Sequence, residues 1–207
     1  MTRSLEYSSI KPKVPLILAS GSESRKLMLE EAGIDFDVSI SPTDEDLIKS
    51  KISSLPYNEQ VVYLAKAKAE PVSSQNPESA VIGGDQMCVL NDMLLHKPGT
   101  KEKAIESLKL LSNQKHFQHS GICIFKNNEC LWEYSETVEL KMHNLTEKEI
   151  INYVDIENPI NAAGAYKFES IGCNLFSYVN GSSHTVRGMP LLPLLKVLRE
   201  LNIIDLE

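Results

Sequence analysis

The segment LASGSESR, residues 18–25, carries side chains that could bind phosphate. Small residues follow an apolar run there, and Ser22 is a typical residue before the first turn of a helix. Free backbone amides at a helix N-terminus bind anions, the hydroxyls of Ser20 and Ser22 add donors, and Arg25 can donate two parallel hydrogen bonds to a phosphate. A plain helix cap at Ser22 and a surface cation at Arg25 would produce the same pattern. The segment is therefore a candidate phosphate-binding loop.

Carboxylates in two further segments could bind a metal ion or accept a proton. In GGDQ, residues 83–86, two glycines would let a ligand approach Asp85 at the end of a buried strand. Asp85 could then act as a general base or a metal ligand, or it could satisfy a turn. The acidic run at Asp44, Glu45 and Asp46 offers oxygen ligands for Mg²⁺, although a solvated loop has the same composition.

Two lysines are further candidates for phosphate binding, and several other chemistries are disfavoured. Lys68 lies in a helical segment and Lys97 in HKPG, where a proline stiffens the loop; both also fit a solvated surface. No GxxxxGK[ST], GxGxxG or GxSxG sequence occurs, which argues against a P-loop enzyme, a dinucleotide oxidoreductase and an α/β-hydrolase. His116 and His119 would face opposite sides of a predicted strand, and no cysteine pair completes a tetrahedral set, so we expect no zinc site.

Composition limits the class of protein. The chain has 207 residues, of which 42% are hydrophobic and 24% charged, and its formal net charge is −7. An acidic chain without blocks of like charge is not expected to bind nucleic acid polymers, but a few local cations still bind a small anion. No apolar stretch approaches membrane-spanning length, no signal peptide is evident, and the four cysteines form no CxxC pair. We expect a cytoplasmic protein with reduced thiols, mostly in the core, and no membrane partner.

Apolar periodicity predicts the elements that must position these residues. The predicted strands lie at residues 14–19, 35–40, 80–84, 87–90, 93–96, 116–128 and 129–143, with turns at Asn91-Asp92 and Asn127-Asn128. The predicted helices run from Ser22 to a glycine cap at Gly33, from Tyr57 to a stop at Pro71, from the Thr100 cap through Leu111, onward from a capping box at residues 146–149, and from about Leu191. Trp132 and Tyr134 share one strand face and are expected in the core.

The order of these elements predicts an α/β fold. Strands and helices alternate at the start of the chain and hairpins dominate the middle, which favours a mixed sheet with helices packed on it. Residues 1–13 form a predicted loose N-terminal arm, and residues 14–207 form one domain. Residues 41–60 and 155–188 are expected to be irregular, and irregular segments often carry binding residues.

Short motifs occur along the chain in a fixed order. They are LASGSESRKLMLEEAG, the DE of the acidic run, LAKAKA, GGDQ, HKPG, SETVEL, AAGAYKFES and VRGMPLLPLLKVL. In this order and spacing they resemble the Maf family of nucleoside triphosphate pyrophosphatases over roughly residues 14–203. The resemblance implies an α/β fold with an elongated mixed sheet flanked by helices, in two lobes with a central nucleotide cleft, as in Maf and ITPase-like proteins. It also implies a nucleotide partner and a homodimer.

The resemblance further implies a reaction and a set of residues. Hydrolysis between the α- and β-phosphates would yield a nucleoside monophosphate and pyrophosphate, with Asp85 as the proton acceptor. Glu45 and Asp85 would hold a divalent cation, Mg²⁺ or Mn²⁺. The matching positions around the triphosphate are Ser20, Ser22, Arg25, Lys68 and Lys97. Such a set is chemically reasonable, because a triphosphate repels a hydroxide until cations offset its charge and a base activates the water.

Several positions bear on the choice of substrate. Gln86, Lys167 and Glu169 resemble the branch of the family that acts on 7-methyl-GTP, and a carboxylate at Glu169 could accept hydrogen bonds from a guanine. Ser24 stands at a position linked to base choice, and Glu23 stands where the family usually has proline. The alternatives are a pyrophosphatase for dTTP, UTP or other noncanonical nucleotides, and a non-catalytic protein that interacts at the division septum.

Overall fold

A computed structural model describes residues 10–206, which contain one seven-stranded mixed sheet flanked by helices. The strands are β1 Leu16–Leu18, β2 Asp37–Val38, β3 Ala80–Leu90, β4 Met93–Leu95, β5 Lys115–Lys126, β6 Glu129–Met142 and β7 Phe176–Asn180. Their order is β2-β1-β3-β5-β6-β7, and β4 pairs with β3. The α-helices are α1 Glu23–Glu31, α2 Glu45–Ile52, α3 Tyr57–Gln75, α4 Lys101–Leu111, α5 Glu147–Glu157, α6 Ser183–Val186 and α7 Leu191–Glu200; 3₁₀ turns lie at Ala163–Ala165 and Ile171–Leu175.

Strand β3 is the central element, and one of its edges is interrupted. Along one edge β3 pairs with β5, whereas on the other edge it pairs with β1 up to Ile82 and with β4 from Cys88. Among the described residues, no strand pairs with β3 on that edge between these two positions. A gap therefore opens in the sheet at residues 83–87, where the parallel part changes to the antiparallel part. Such switch points are common ligand sites in α/β sheets.

Asp85 lies in the middle of β3, so the prediction that it ends a strand is wrong. The two glycines before it were interpreted as a sign of close ligand approach at a strand end. In the structure, a Cβ on Gly83 would lie 2.2 Å from the backbone oxygen of Ala65 in α3. Gly83 therefore allows helix α3 to pack closely on the sheet. The strand continues, and Asp85 instead lies just beyond the end of its neighbour β1.

The two largest of the four apolar clusters in the described residues give the molecule two lobes. The first core lies between β1, the start of β3 and helices α1 and α7, and includes Leu18 and Met28. The second lies between the end of β3, β6 and helices α4 and α5, and includes Leu108 and Ile150. This arrangement confirms the predicted α/β class with a mixed sheet flanked by helices. The gap in the β3 edge lies where the two lobes meet.

Helix α3 continues through Pro71 to Gln75, so the predicted end of this helix at Pro71 is wrong. A proline inside a helix has no N–H to donate to the carbonyl four residues earlier. Here that carbonyl, of Ala67, accepts a hydrogen bond of 2.9 Å from Thr43 Oγ1. The side chain of Thr43 replaces the missing helical donor and joins α3 to the segment before α2.

The acidic run opens helix α2 inside a region that was expected to be irregular. The side chain of Asp44 accepts a hydrogen bond of 3.0 Å from the backbone N–H of Leu47, and Glu45 and Asp46 occupy the first turn. An aspartate cap and acidic residues in the first turn both stabilise a helix N-terminus. The interpretation of these acids as a solvated loop is therefore wrong.

Other predicted elements differ in their extent. Strand β7, helix α6 and both 3₁₀ turns lie within residues 155–188, which were expected to be irregular. The strand expected at residues 35–40 is reduced to β2, whose two residues are exposed. Trp132 packs against the first core, but Tyr134 is exposed, so the prediction of a core position is wrong for Tyr134.

Local signals predicted the turns and helix starts correctly. Asn91, Asp92, Asn127 and Asn128 all have positive φ, as two-residue hairpin turns require. Thr100 caps α4, and Thr146 forms a complete capping box with Glu149 at the start of α5. Helix α1 is followed by Gly33 at φ +71°, as the predicted glycine cap requires.

The start of the described chain is attached to the first lobe. Residues 1–9 of the predicted arm lie outside the described residues, but Ile10 forms a bridge with Ile34, and Lys13 pairs with Asp205 at 2.6 Å. No helix within residues 10–206 is long and apolar enough to cross a bilayer. The cysteines are free thiols; Cys88 and Cys123 are buried, whereas Cys130 is half-buried and Cys173 is exposed.

Candidate active site

Arg25 reaches the gap in β3 from the first turn of α1. Ser22 caps this helix by accepting the backbone N–H of Arg25. Arg25 is only 6% exposed; its Nε donates to Gly188 O at 2.8 Å and its Nη1 to Ser20 Oγ at 3.0 Å. Burial lowers the pKa of Arg25, while the charges of Asp85 and Glu45 act in the opposite direction. A buried cation held between two polar groups is therefore present at the predicted phosphate loop.

Lys68 joins the two carboxylates of the gap. Its ammonium lies 2.7 Å from Asp85 Oδ1 and 2.9 Å from Glu45 Oε1, and its side chain is only 12% exposed. Glu45 also lies 3.4 Å from Lys49. Burial acts to raise the pKa of Glu45, but the charges and hydrogen bonds of Lys68 and Lys49 lower it overall. The gap thus contains an alternating network of cations and carboxylates.

Glu45 is held beside Lys68 by the loop that precedes α2. Thr43 Oγ1 donates to the carbonyl of Ala67, the residue before Lys68, and also lies in hydrogen-bond contact with Ser41. This carbonyl is available because Pro71 has no N–H to occupy it. The proline in α3 therefore has a local consequence for the site, which is to fix the start of α2 against Lys68.

Gln86 follows Asp85 but faces the other side of the sheet. Its Nε2 donates to Thr185 O at 3.1 Å and to Val186 O at 2.9 Å. The amide nitrogen therefore uses both of its N–H groups in hydrogen bonds to the backbone of α6. Its Oε1 is directed towards Gly188, where a Cβ would lie 3.2 Å away.

The structure brings only part of the predicted set together. Lys68 pairs with Glu45 and Asp85, and Arg25, bonded to Ser20, interacts electrostatically with both carboxylates. We call these five residues the Asp85 cluster. Ser22 acts in the helix cap next to it. The Oγ of Ser24 is buried without a hydrogen-bond partner among the described residues.

Three predicted residues lie on the second lobe. Lys97 is exposed in a surface depression beside α4, and no contact between it and the Asp85 cluster is seen within residues 10–206. The ammonium of Lys167 is 2.9 Å from Glu157 O and 3.3 Å from Glu157 Oε1, so it is held at the end of α5. Glu169 is exposed. No contact of Lys167 or Glu169 with the Asp85 cluster is seen in the described part of the chain either.

Sequence reasoning missed four residues that shape the site, which are Ser120, Glu136, Thr185 and Gly188. Gly188 O accepts a hydrogen bond from Arg25 Nε. The buried Thr185 forms hydrogen bonds with Gln86, Ser120 and Glu136. Gly188 belongs to the VRGMP motif and Glu136 to SETVEL. These motifs contributed to the family resemblance, but they predicted no role for either residue. The contacts join residues far apart in the chain, and no local pattern predicts them.

Residues 15–201 match a family model described as Maf-like protein, and this range includes every residue of the site. The chain belongs to the Maf family.

Curated Maf relatives align over nearly the whole chain. A protein from Legionella pneumophila named nucleoside triphosphate pyrophosphatase is 38% identical over 192 residues, which is 93% of this chain and 96% of that protein. A protein from Rhizobium etli named 7-methyl-GTP pyrophosphatase is 39% identical over 194 residues, which is 92% of this chain and 98% of that protein. A solved structure, a HAM1 protein from Coxiella burnetii, has a TM-score of 0.51 at 17% identity and covers 90% of this chain and 99% of that one. This likeness shows a shared fold.

The carboxylates of this Maf protein fit a divalent metal that also takes oxygens from a substrate. Within the part of the chain that the structure describes, no group of three or more His, Cys, Asp or Glu is placed to hold a metal. Asp85 and Glu45 are bridged by one ammonium, so two hard oxygen donors point at a common position that a cation already occupies. Mg²⁺ is commonly bound by one or two carboxylates together with substrate phosphates. The donor set therefore fits Mg²⁺ or Mn²⁺ in the presence of a triphosphate.

Proposed function

We propose that this Maf-family protein hydrolyses the α–β phosphoanhydride of a nucleoside triphosphate, with 7-methyl-GTP as the substrate, to release pyrophosphate. The observation that carries the proposal is the Asp85 cluster, in which a buried carboxylate lies with a buried arginine and a lysine in a gap of the sheet. Relatives named nucleoside triphosphate pyrophosphatase, aligned over more than nine-tenths of the chain, support the reaction. A relative named 7-methyl-GTP pyrophosphatase supports the substrate.

The cations of the Asp85 cluster and the N-terminus of helix α1 bind the phosphates. The buried guanidinium of Arg25 and the ammonium of Lys68 neutralise phosphate charge, and the free amides of the α1 N-terminus add donors beside Ser20 and Ser22. Cations in a site with little water act more strongly than they would in bulk solvent. The cluster thus lowers the repulsion that an incoming hydroxide would meet.

Asp85 accepts the proton of the attacking water. Lys68 donates to Asp85 Oδ1 at 2.7 Å, which holds the carboxylate in place and occupies one of its oxygens. A triphosphate competes for Lys68, and the carboxylate then becomes available as an acceptor for a water proton. Proton transfer to a positioned carboxylate contributes about 10²–10⁴-fold to a rate.

Asp85 and Glu45 would hold the divalent cation. Once bound, Mg²⁺ or Mn²⁺ would offset charge on the phosphate oxygens. Glu45 is well placed for this role because Thr43 and Asp44 fix the first turn of α2 next to Lys68. The protein holds both carboxylates at the gap. Lys68 leaves them to pair with the phosphates when the substrate binds.

Base recognition belongs to the second lobe. Glu169 is exposed beyond the 3₁₀ turn Ala163–Ala165, which packs against Cys88 at the far side of the gap. A 7-methylated guanine carries positive charge on its ring, and its N1–H and exocyclic amine donate hydrogen bonds. A carboxylate accepts both donors and attracts the charge. Lys167, held by Glu157, keeps this segment attached to α5.

A nucleotide panel tests the proposal. Purified protein with Mg²⁺ or Mn²⁺ is given 7-methyl-GTP, GTP, dTTP, UTP and CTP, and pyrophosphate release is measured for each. We expect the highest kcat/KM with 7-methyl-GTP and a loss of that preference in Glu169→Gln. A preference for dTTP or UTP would keep the reaction and overturn the substrate, whereas no release from any nucleotide would overturn the reaction and favour the interaction protein.

Two further expectations, a homodimer and a cytoplasmic location, stay predictions. A homodimer predicts a mass of twice the 23.1 kDa chain in size-exclusion chromatography with light scattering. A cytoplasmic location predicts that the protein is recovered with the cytoplasmic fraction of its cell.

A further inference from the structure

A row of polar side chains crosses three strands on the face of the sheet opposite Asp85. Gln86 of β3 pairs with Ser120 of β5, and Ser120 pairs with Glu136 of β6. Residues that are directly opposite one another in neighbouring strands project to the same face. The three side chains therefore point together, and helix α6 lies against them.

All three side chains bind a single residue, Thr185. Its carbonyl accepts Gln86 Nε2 at 3.1 Å and Ser120 Oγ at 2.8 Å, and its hydroxyl donates to Glu136 Oε2. Thr185 is fully buried. Buried polar groups that satisfy one another in this way specify one arrangement, because any other leaves a partner without a hydrogen bond.

Thr185 is connected to Arg25 through a short path. The backbone N–H of Gly188 donates to Thr185 O at 3.0 Å, and Gly188 O accepts Arg25 Nε at 2.8 Å. Gly188 has φ +106°, a conformation that favours glycine, and a Cβ there would lie 3.5 Å from Arg25 Nη2. The orientation of Gly188 O therefore depends on how α6 is held.

Arg25 has few other constraints on its guanidinium. Gly84 gives it space, since a Cβ there would lie 3.0 Å from Arg25 Nε, and Ser20 Oγ holds only Nη1. Without Gly188 O the guanidinium would keep one protein acceptor and could rotate about it. A displacement of about 1 Å in a group that positions substrate can cost about 10²-fold in rate.

We propose that Thr185 and Glu136 are positioning residues for Arg25, acting through Gly188 to aim its guanidinium at the phosphates. This inference rests on the proposed function for its effect on catalysis, but not for the contact itself. Gln86 takes part from the same row, so it influences the site through the backbone of α6.

The test compares variants of Thr185 in two backgrounds. Thr185→Val keeps the shape and removes the hydroxyl, and we expect it to lower kcat/KM about tenfold, mainly through KM. Thr185→Ser restores the hydroxyl and should recover activity to within about twofold. Ser183→Ala, an exposed position on the same helix, is the matched control and should leave activity unchanged. In an Arg25→Lys background, Thr185→Val should have an effect of less than about twofold, because the group it positions is gone.

A second readout does not depend on activity. Hydrogen exchange of the Arg25 Nε–H, followed by NMR, should be faster in Thr185→Val than in wild type and unchanged in Thr185→Ser. Glu136→Ala removes the partner of the hydroxyl at a half-buried position and should act in the same direction if Thr185→Val does not fold.

The outcomes separate the two proposals. Equal losses from Thr185→Val in the wild-type and Arg25→Lys backgrounds, or unchanged exchange of the Nε–H, would overturn the positioning role. If wild-type protein hydrolyses no nucleotide, the proposed function fails, and the exchange measurement alone still decides whether Thr185 positions Arg25.

Discussion

Two polar clusters are built on neighbouring parts of the same sheet, and they differ in charge. The Asp85 cluster lies in the gap of β3. A second group, which we call the Tyr166 cluster, lies inside the second lobe and consists of Cys88, His116, Gln118 and Tyr166. Both rest on β3 or β5, and both hold side chains that are almost completely buried.

The Tyr166 cluster is neutral. Tyr166 OH accepts Gln118 Nε2 at 2.7 Å and lies 3.0 Å from His116 Nε2. Burial lowers the pKa of His116 to about 4 and raises the pKa of Cys88 to about 12. Neither group carries a charge at neutral pH. The cluster therefore offers no counter-charge to a charged ligand.

Burial is common to both clusters, so it does not by itself distinguish a ligand site from structural support. Neutral hydrogen bonds in an apolar core fix one arrangement, because breaking any of them leaves a buried partner unsatisfied. The ion pairs of Lys68 with Asp85 and Glu45 can instead be exchanged for a phosphate, since the ligand brings its own negative charge. We therefore propose that the charged cluster carries out catalysis and that the neutral one gives structural support.

The largest expected effect is in Asp85→Asn. Asparagine keeps the size of the side chain but cannot accept a proton from water, so kcat should fall by about 10³-fold with KM changed by less than about fivefold. Steady-state pyrophosphate release measures both. Asp46→Asn in the first turn of α2 is the control and should behave as wild type. Preserved turnover in Asp85→Asn would place the base elsewhere.

Lys68→Met should lower kcat/KM by about 10²-fold, because it removes the cation that both carboxylates share and that a phosphate would bind. Lys66→Met is a matched control on the same helix. Lys66 pairs with Glu133 of β6 at 2.5 Å and makes no contact with the Asp85 cluster among the described residues, so its loss should change kcat/KM by less than about twofold. Similar losses in both variants would show that α3 is merely being destabilised.

The neutral cluster predicts a dependence of stability on pH. The pKa of His116 is lowered to about 4 in the folded state, against about 6.5 unfolded, so only the unfolded state takes up the proton between these values. The free energy of unfolding should therefore fall as pH drops below about 6.5, by about 2 kcal/mol at pH 5. Urea unfolding at pH 7 and pH 5 measures it, and His116→Gln should lose this part of the slope. An unchanged slope in the variant would show that His116 is not held neutral.

The smallest expected effect is in Thr43→Val. Loss of the hydrogen bond to Ala67 O frees the start of α2, so Glu45 is less well held, and kcat/KM should fall about threefold to tenfold. Thr43→Ser keeps the hydroxyl and should match wild type. Pro71→Ala supplies a helical N–H that competes for Ala67 O, and its effect should not add to that of Thr43→Val. Additive effects would separate the proline from the threonine.

The sequence predicted elements whose signals are local. The caps at Ser22, Thr100 and Thr146 and the two asparagine turns depend on a few neighbouring residues, and all were found as expected. The family resemblance placed Ser20, Arg25, Lys68 and Asp85 around one site, and the structure brings these four together.

What the sequence could not show depends on long-range contacts. Gly83 was interpreted as allowing a ligand to approach Asp85, but it leaves room for the backbone of Ala65 in α3, and this contact exists only once the helix is packed on the sheet. Pro71 was taken as a helix stop because the donor that replaces its N–H, Thr43, lies far earlier in the chain. The ion pair between Lys167 and Glu157 likewise depends on the fold.

The central claim is that the Asp85 cluster cleaves between the α- and β-phosphates, and the products of one reaction test it most directly. We would follow 7-methyl-GTP with the wild-type protein and Mg²⁺ by ³¹P NMR. The account predicts that the β- and γ-phosphate signals convert to pyrophosphate while 7-methyl-GMP accumulates, with no inorganic phosphate as a first product. Formation of 7-methyl-GDP and inorganic phosphate, or no conversion at all, would contradict it.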